Sequence, residues 1–193
     1  MKSKINLGFG VVAMMILLAA LSRLLPHPPN FTPIAGMSLF GAAYFSKKYW
    51  AFIIPMLAML ISDLIINNVV YASESFMVFH STSLYIYLSF ALITLLGFRL
   101  LKKVSTTRLL GASLASSALF FLITNFGVWA VGYSNFSANF GGLIATYVAG
   151  IPFALNTIAG DLFYVSILFG SYELLRTRFP QLSTTTELEE DYV

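Results

Sequence analysis

Cysteine is absent from this chain of 193 residues, which removes disulfides, thiolate catalysis and cysteine metal sites. Charge is scarce: 10% of residues are Asp, Glu, Lys or Arg, while 58% are hydrophobic and the mean hydropathy is +0.82. A soluble domain of this length needs a more charged surface, so the composition points to an integral membrane protein with one domain. The two histidines, His27 and His80, lack a further converging ligand, and neither a metal nor a cofactor is expected. No nucleotide-binding motif is present, so any use of ATP must come from a partner. The net charge of +3 arises from short basic clusters between apolar runs, which speaks against a nucleic-acid partner. Aromatics are plentiful, with eighteen Phe and ten Tyr, and part of them is expected at the membrane–water interface.

The least typical stretch is Arg23-Leu-Leu-Pro-His-Pro-Pro-Asn-Phe-Thr-Pro33, which holds four of the seven prolines. Apolar runs on either side predict helices. A membrane span takes about 20 apolar residues, and six candidates follow in order. They are Leu7–Leu25, the short Ile34–Phe45, Tyr49–Tyr71, Thr82–Leu101, Arg108–Val131, and a span opening at Pro152 and closing near Arg176. Leu143–Ala149 reads as a short interfacial helix. Residues 1–180 form one six-helix transmembrane domain, and residues 181–193 an acidic, disordered tail.

The charges order this topology. With both termini inside, the inner segments hold Lys2, Lys4, Lys47, Lys48, Arg99, Lys102, Lys103, Arg108, Arg176 and Arg178, which is ten of the eleven Lys and Arg residues. Arg23 alone falls outside. This is the positive-inside pattern, and it requires the short second span, without which Lys47 and Lys48 would lie outside.

Ionisable residues inside spans are costly, and each marks a candidate site. Asp63 and Asp161 are the two clear cases. Asn67, Asn68, Asn125 and Asn156 share their outer halves of the helices, beneath Arg23 and His27. This asymmetry predicts a polar cavity in the outer half above an apolar plug. Arg23 is the natural partner of Asp63 or Asp161. In a capture site Asp161, Asn156 and Asn125 would bond polar edges of a ligand, and Arg23 an anionic group. Asp63 and Asn67 belong to the same polar set, Asn30 and Phe31 form the lid edge, Trp129, Tyr133 and Phe31 stack or cover, and His27 is a marginal contact. The bland reading makes the ionisable groups helix-packing pairs, the asparagines interhelical bonds and the aromatics interfacial belt. A catalytic reading would make Asp63 and Asp161 the dyad of an intramembrane aspartyl protease, but Ile158-Ala-Gly-Asp161 lacks the first glycine of the usual Gly-x-Gly-Asp. No enzyme activity is expected.

Asn30-Phe-Thr-Pro-Ile-Ala-Gly-Met-Ser-Leu-Phe-Gly-Ala-Ala-Tyr-Phe45, Ser62-Asp63, Thr124-Asn-Phe-Gly-Val-Trp129, Gly142-Leu-Ile-Ala-Thr-Tyr-Val-Ala-Gly-Ile-Pro-Phe153 and Gly160-Asp161 together resemble an uncharacterised family of bacterial membrane transport proteins. That family is similar to the S components, the substrate-binding subunits of energy-coupling factor (ECF) transporters. The resemblance implies an all-α bundle of six transmembrane helices in the bacterial inner membrane, with cytoplasmic termini, that captures a vitamin-like small molecule from outside. It also implies docking on a membrane coupling subunit driven by two ATPases. The first helix carries Ala13, Ala19 and Ala20 rather than the Ala-x-x-x-Ala pattern associated with that docking. The alternative to capture is a structural membrane subunit.

Overall fold

The computed structural model describes residues 7–71 and 75–182, and these form six α-helices with no strand among them. Helix α1 spans Leu7–Leu21 and tightens into a 3-10 turn over Ser22–Leu24. Leu25 is then extended (φ −81°, ψ 148°), the conformation imposed by the ring of the proline that follows it. Helix α2 spans Ile34–Tyr44 and α3 spans Trp50–Ile65. The last turn of α3 widens to a π-helical turn over Ile66–Val70, closed by Tyr71 N–H on the Ile66 carbonyl at 2.9 Å. Helix α4 spans Ser83–Leu100, α5 Thr106–Ala130 and α6 Phe140–Arg178. Local capping sets two of these starts: Ser105 Oγ accepts from Arg108 N–H at 3.4 Å, and Asn139 Oδ1 from Gly142 N–H at 2.9 Å. An Asn, Asp, Ser or Thr side chain satisfies the orphan donors of a first turn in this way. The Ser105 cap is why α5 opens at Thr106 rather than at Arg108.

Five segments are long and apolar enough to cross a membrane: Leu7–Leu24, Trp50–Val70, Ser83–Leu100, Thr106–Ala130 and Phe140–Arg178. Their outward faces are apolar. Ile53, Leu57 and Ile61 on α3, and Ile144, Val148, Ile151 and Leu155 on α6, are exposed at spacings of three or four residues. Such stripes suit lipid, because hydrocarbon costs an outward Leu or Ile nothing. The chain is a multi-pass membrane protein by these features.

Helix α2 is the centre of the bundle. It packs against all five other helices, and Ile34 through Gly41 are buried without interruption. At about 1.5 Å per residue its 11 residues cover roughly 16 Å, about half the hydrocarbon thickness of a bilayer. Glycine allows the close approach. A Cβ on Gly36 would lie 2.9 Å from Tyr164 Cβ of α6. One on Gly41 would lie 3.3 Å from Pro55 Cγ and 3.4 Å from the Ala51 carbonyl oxygen, the oxygen that Pro55 leaves without its helical donor. Phe40, edge-on, and Tyr44, tilted, continue the contact to the rings of Phe169 and Tyr172, with centroids 4.4–5.4 Å apart.

The sixth span departs from the sequence reading. The interfacial helix expected at Leu143–Ala149 and the span expected from Pro152 are one continuous helix of 39 residues, with Pro152 inside it. Pro152 removes one backbone donor, but α5 holds the helix across that point. Tyr147 OH donates to the Leu122 carbonyl at 2.7 Å, and Gly150 lies directly against the Asn125 amide. Neighbouring helices make an interior proline tolerable in a span.

The bundle has two distinct ends. The proline end gathers residues 22–33, the π turn after α3, and the α5–α6 loop. The lysine end gathers the start of α1, the α2–α3 and α4–α5 turns and the close of α6: Phe9 rests on Phe45 and Trp50, and the Pro180–Leu182 turn packs on α1. Residues 7 and 182 therefore share one end, as six helices running alternately up and down the bundle require. The buried Leu182 closes the turn, its carbonyl accepting from Tyr172 OH at 3.1 Å. The remainder of the acidic tail lies outside the described residues.

Candidate functional site

The proline end holds the sequence candidates, and they fall into four groups. The first is an ion pair between α1 and α3. The guanidinium of Arg23 reaches Asp63 Oδ1 at 2.7 Å, and the same nitrogen meets Ser62 Oγ at 2.6 Å and Met59 Sδ at 2.8 Å. Both side chains are nearly enclosed, at 12% and 11% exposure. The 3-10 turn after α1 carries Arg23 inward, and Asp63 lies on the buried face of α3 with Ala58, Met59 and Ser62. Tyr87 of α4 points its hydroxyl at Asp63 Oδ2, 3.5 Å away, and its ring is edge-on to Phe79 with centroids 5.9 Å apart. Two buried donors beside this pair have no acceptor: Arg23 Nε and Asn67 Nδ2. Asn67 lies four residues past Asp63, in the π turn, a distortion that often marks a functional site. Asn68 instead pairs with the following loop, donating to Met77 O at 2.8 Å and accepting from Met77 N–H at 2.7 Å.

The second group is the proline loop on α6. Asn30 takes a left-handed conformation (φ 62°) in a turn closed by Phe31 N–H on the Pro28 carbonyl at 3.1 Å; asparagine is among the few side chains that adopt it readily. Asn156 Nδ2 donates to the Pro29 carbonyl at 3.0 Å. The Phe31 ring lies against Phe163 and Tyr164 with centroids 5.4 and 5.9 Å away. Gly160 leaves room for the chain, since a Cβ there would be 3.0 Å from Thr32 N and 3.1 Å from Phe31 Cα. Tyr164 OH and Ser22 Oγ, 2.7 Å apart, fasten the start of the loop to the same helix. The loop thus bridges α3, through Arg23, and α6. His27 is exposed, with its ring Nδ1 2.9 Å from the carbonyl of its neighbour Pro28.

The third group is Asp161, which is 2% exposed. Its Oδ2 accepts from Ser117 Oγ of α5 at 2.6 Å, and its carboxylate stands near enough to the backbone N–H of Ala35 to attract it. Ala35 is the second residue of α2, so the carboxylate caps the positive end of that helix. Asp63 and Asp161 are therefore held by different partners, from different helices.

The fourth group lies where α5 meets α6. Asn125 Nδ2 donates to the Phe121 carbonyl at 2.9 Å while its amide packs on Gly150. Trp129 Nε1 donates to the Ser137 carbonyl at 3.3 Å, and Tyr133 is 75% exposed beyond it.

Met59, Tyr87 and Ser117 are participants that the sequence did not single out, and Ser62 entered only within the Ser62-Asp63 motif. Ser117 was legible only as a small residue suited to helix packing. Tyr87 sits seven residues after a loop histidine among other aromatics, with nothing local to distinguish it.

Cavities add a second unexpected feature. A groove of about 510 Å³ between α1 and α6 is lined by His27, Phe31, Ser22 and apolar side chains. A larger cavity of about 1010 Å³ opens at the lysine end, between the α4–α5 turn, the end of α2 and α6, where the sequence reading places an apolar plug. No curated protein and no solved structure gives a significant match to the chain. A family model described as a family of unknown function (DUF6580) matches residues 3–182, and the chain belongs to that family.

Proposed function

We propose that this protein is the substrate-binding component of an uptake system in the bacterial inner membrane, taking a small, partly planar organic nutrient that presents a carboxylate or carbonyl edge. The observation that carries this reading is the pair of buried donors without acceptors, Arg23 Nε and Asn67 Nδ2, beside the Arg23–Asp63 ion pair. An unmet buried donor costs about 1–3 kcal/mol, and a ligand oxygen would relieve it. Phe79 and Tyr87 supply aromatic edges next to that position. Asp161, Asn156 and Asn125 support the site by fixing α2, the proline loop and α6 around it.

The orientation belongs to the same proposal. Among the described residues, Lys47, Lys48, Arg99, Lys102, Lys103, Arg108, Arg176 and Arg178 lie at the lysine end, and Arg23 at the other. By the positive-inside rule the lysine end faces the cytoplasm and the proline end receives ligand from outside. We extend the proposal, on the sequence motifs that resemble ECF S components, to a membrane coupling subunit and ATPases supplied in trans. The separate partners of Asp63 and Asp161 lend no support to a protease dyad.

Mass spectrometry of small molecules that co-purify with the protein tests the proposal. A single carboxylated or carbonyl-bearing compound, retained by the wild type and lost from Asn67→Ala, is the expected result. A wild type that carries no compound and shows no melting shift across a panel of such molecules would favour a structural membrane subunit, the reading suited to polar groups that only bond one another.

A further inference from the structure

The larger cavity plays no part in the proposed capture site, which lies at the opposite end of the bundle. We propose that it binds the headgroup of an anionic phospholipid, with the glycerol and upper acyl chain against its apolar wall. One rim is cationic: Lys102 and Lys103 follow the last turn of α4, and both are exposed. Arg176 is engaged with Glu173 at 3.1 Å, and Glu173 also accepts from Tyr44 OH, so that acid is neutralised locally and the two lysines set the sign of the rim. The opposite wall is apolar, from Phe45, Leu109 and Phe169. Gly170 contributes open space, because a Cβ placed on it meets no heavy atom within 4 Å.

The combination selects the ligand class. A soluble phosphate ester has no use for a wall of Phe and Leu, and a neutral lipid has none for two ammonium groups. A basic pocket between transmembrane helices, level with their ends, has the chemistry of a site for anionic headgroups. The Ser105 hydroxyl and the first turn of α5 stand on the same rim and offer hydrogen-bond donors to phosphate oxygens.

Native mass spectrometry and thermal shift of the detergent-purified protein, titrated with phosphatidylglycerol, phosphatidylcholine or glycerol phosphate, test this. Phosphatidylglycerol is expected to give a retained one-to-one adduct and a raised melting temperature, with phosphatidylcholine and glycerol phosphate giving neither. Lys102→Gln with Lys103→Gln should weaken phosphatidylglycerol roughly thirtyfold, from about one phosphate attraction lost per lysine. Gly170→Leu should block it by filling the cavity while leaving the unliganded melting temperature near that of the wild type. Equal effects of the two lipids, or indifference of phosphatidylglycerol to both variants, would overturn the proposal. A full shift with glycerol phosphate alone would overturn the lipid assignment in favour of a soluble phosphate ligand.

Discussion

Ser117 Oγ donates to Asp161 Oδ2 at 2.6 Å across the α5–α6 contact, and the same carboxylate stands near the backbone N–H of Ala35 at the start of α2. One acid therefore joins three helices. Asp161→Ala would take the carboxylate away from the Ala35 N–H and leave Ser117 Oγ only the Ser113 carbonyl of its own helix, 3.1 Å away; an unmet buried donor costs about 1–3 kcal/mol. Thermal unfolding in detergent should show Asp161→Ala far less stable than Asp161→Asn, which keeps one acceptor oxygen. Equal losses in the two variants would remove the capping role.

The Arg23–Asp63 pair predicts a non-additive cycle. Removing one partner of an enclosed ion pair costs about 3–5 kcal/mol, because the other charge stays behind unpaired. Arg23→Met and Asp63→Leu should each destabilise strongly, and the double variant should recover much of the loss. A double variant as poor as the sum of the two singles would mean that the charges act independently.

Gly160 should tolerate nothing larger. Gly160→Ala places a methyl 3.0 Å from the Thr32 amide nitrogen, where both neighbours are backbone and cannot swing aside. Overpacking of this kind costs about 1–3 kcal/mol and should lift the proline loop, read as faster hydrogen exchange over residues 28–33. Gly10→Ala, in α1, meets nothing within 4 Å; it should leave exchange in the proline loop unchanged and lose no stability, since alanine favours a helix interior over glycine.

The lack of cysteine makes topology directly measurable. Single substitutions Asn30→Cys and Lys103→Cys should react with a membrane-impermeant maleimide from opposite sides of sealed vesicles, Asn30→Cys from the outside of intact cells. Labelling of both from one side would overturn the orientation.

Much of the fold could be read from the sequence because apolar runs bounded by proline and charge specify membrane helices almost residue by residue: α2 was expected at Ile34–Phe45 and ends at Tyr44. Pro152 misled, since its missing donor is a local fact while the hold of α5 on α6 is not. Within the candidate site, Arg23 was legible as a partner for an acid. Which acid it meets depends on α1 lying against α3, a relation that no local pattern encodes. The caps on α2 are similarly non-local: Asp161 stands more than a hundred residues away from Ala35. The lysine-end cavity left no trace in the sequence, because its walls come from three separated segments whose residues each look like ordinary helix ends.

The shortness of α2 bears on how the chain is assembled. An eleven-residue apolar segment cannot hold itself across a bilayer, and the acid that seats its first turn is synthesised near the end of the chain. Until α6 is made, α2 can rest on α1, α3, α4 and α5 but lacks the wall that Gly160, Asp161 and Tyr164 supply. The centre of the finished molecule is therefore completed by its last helix.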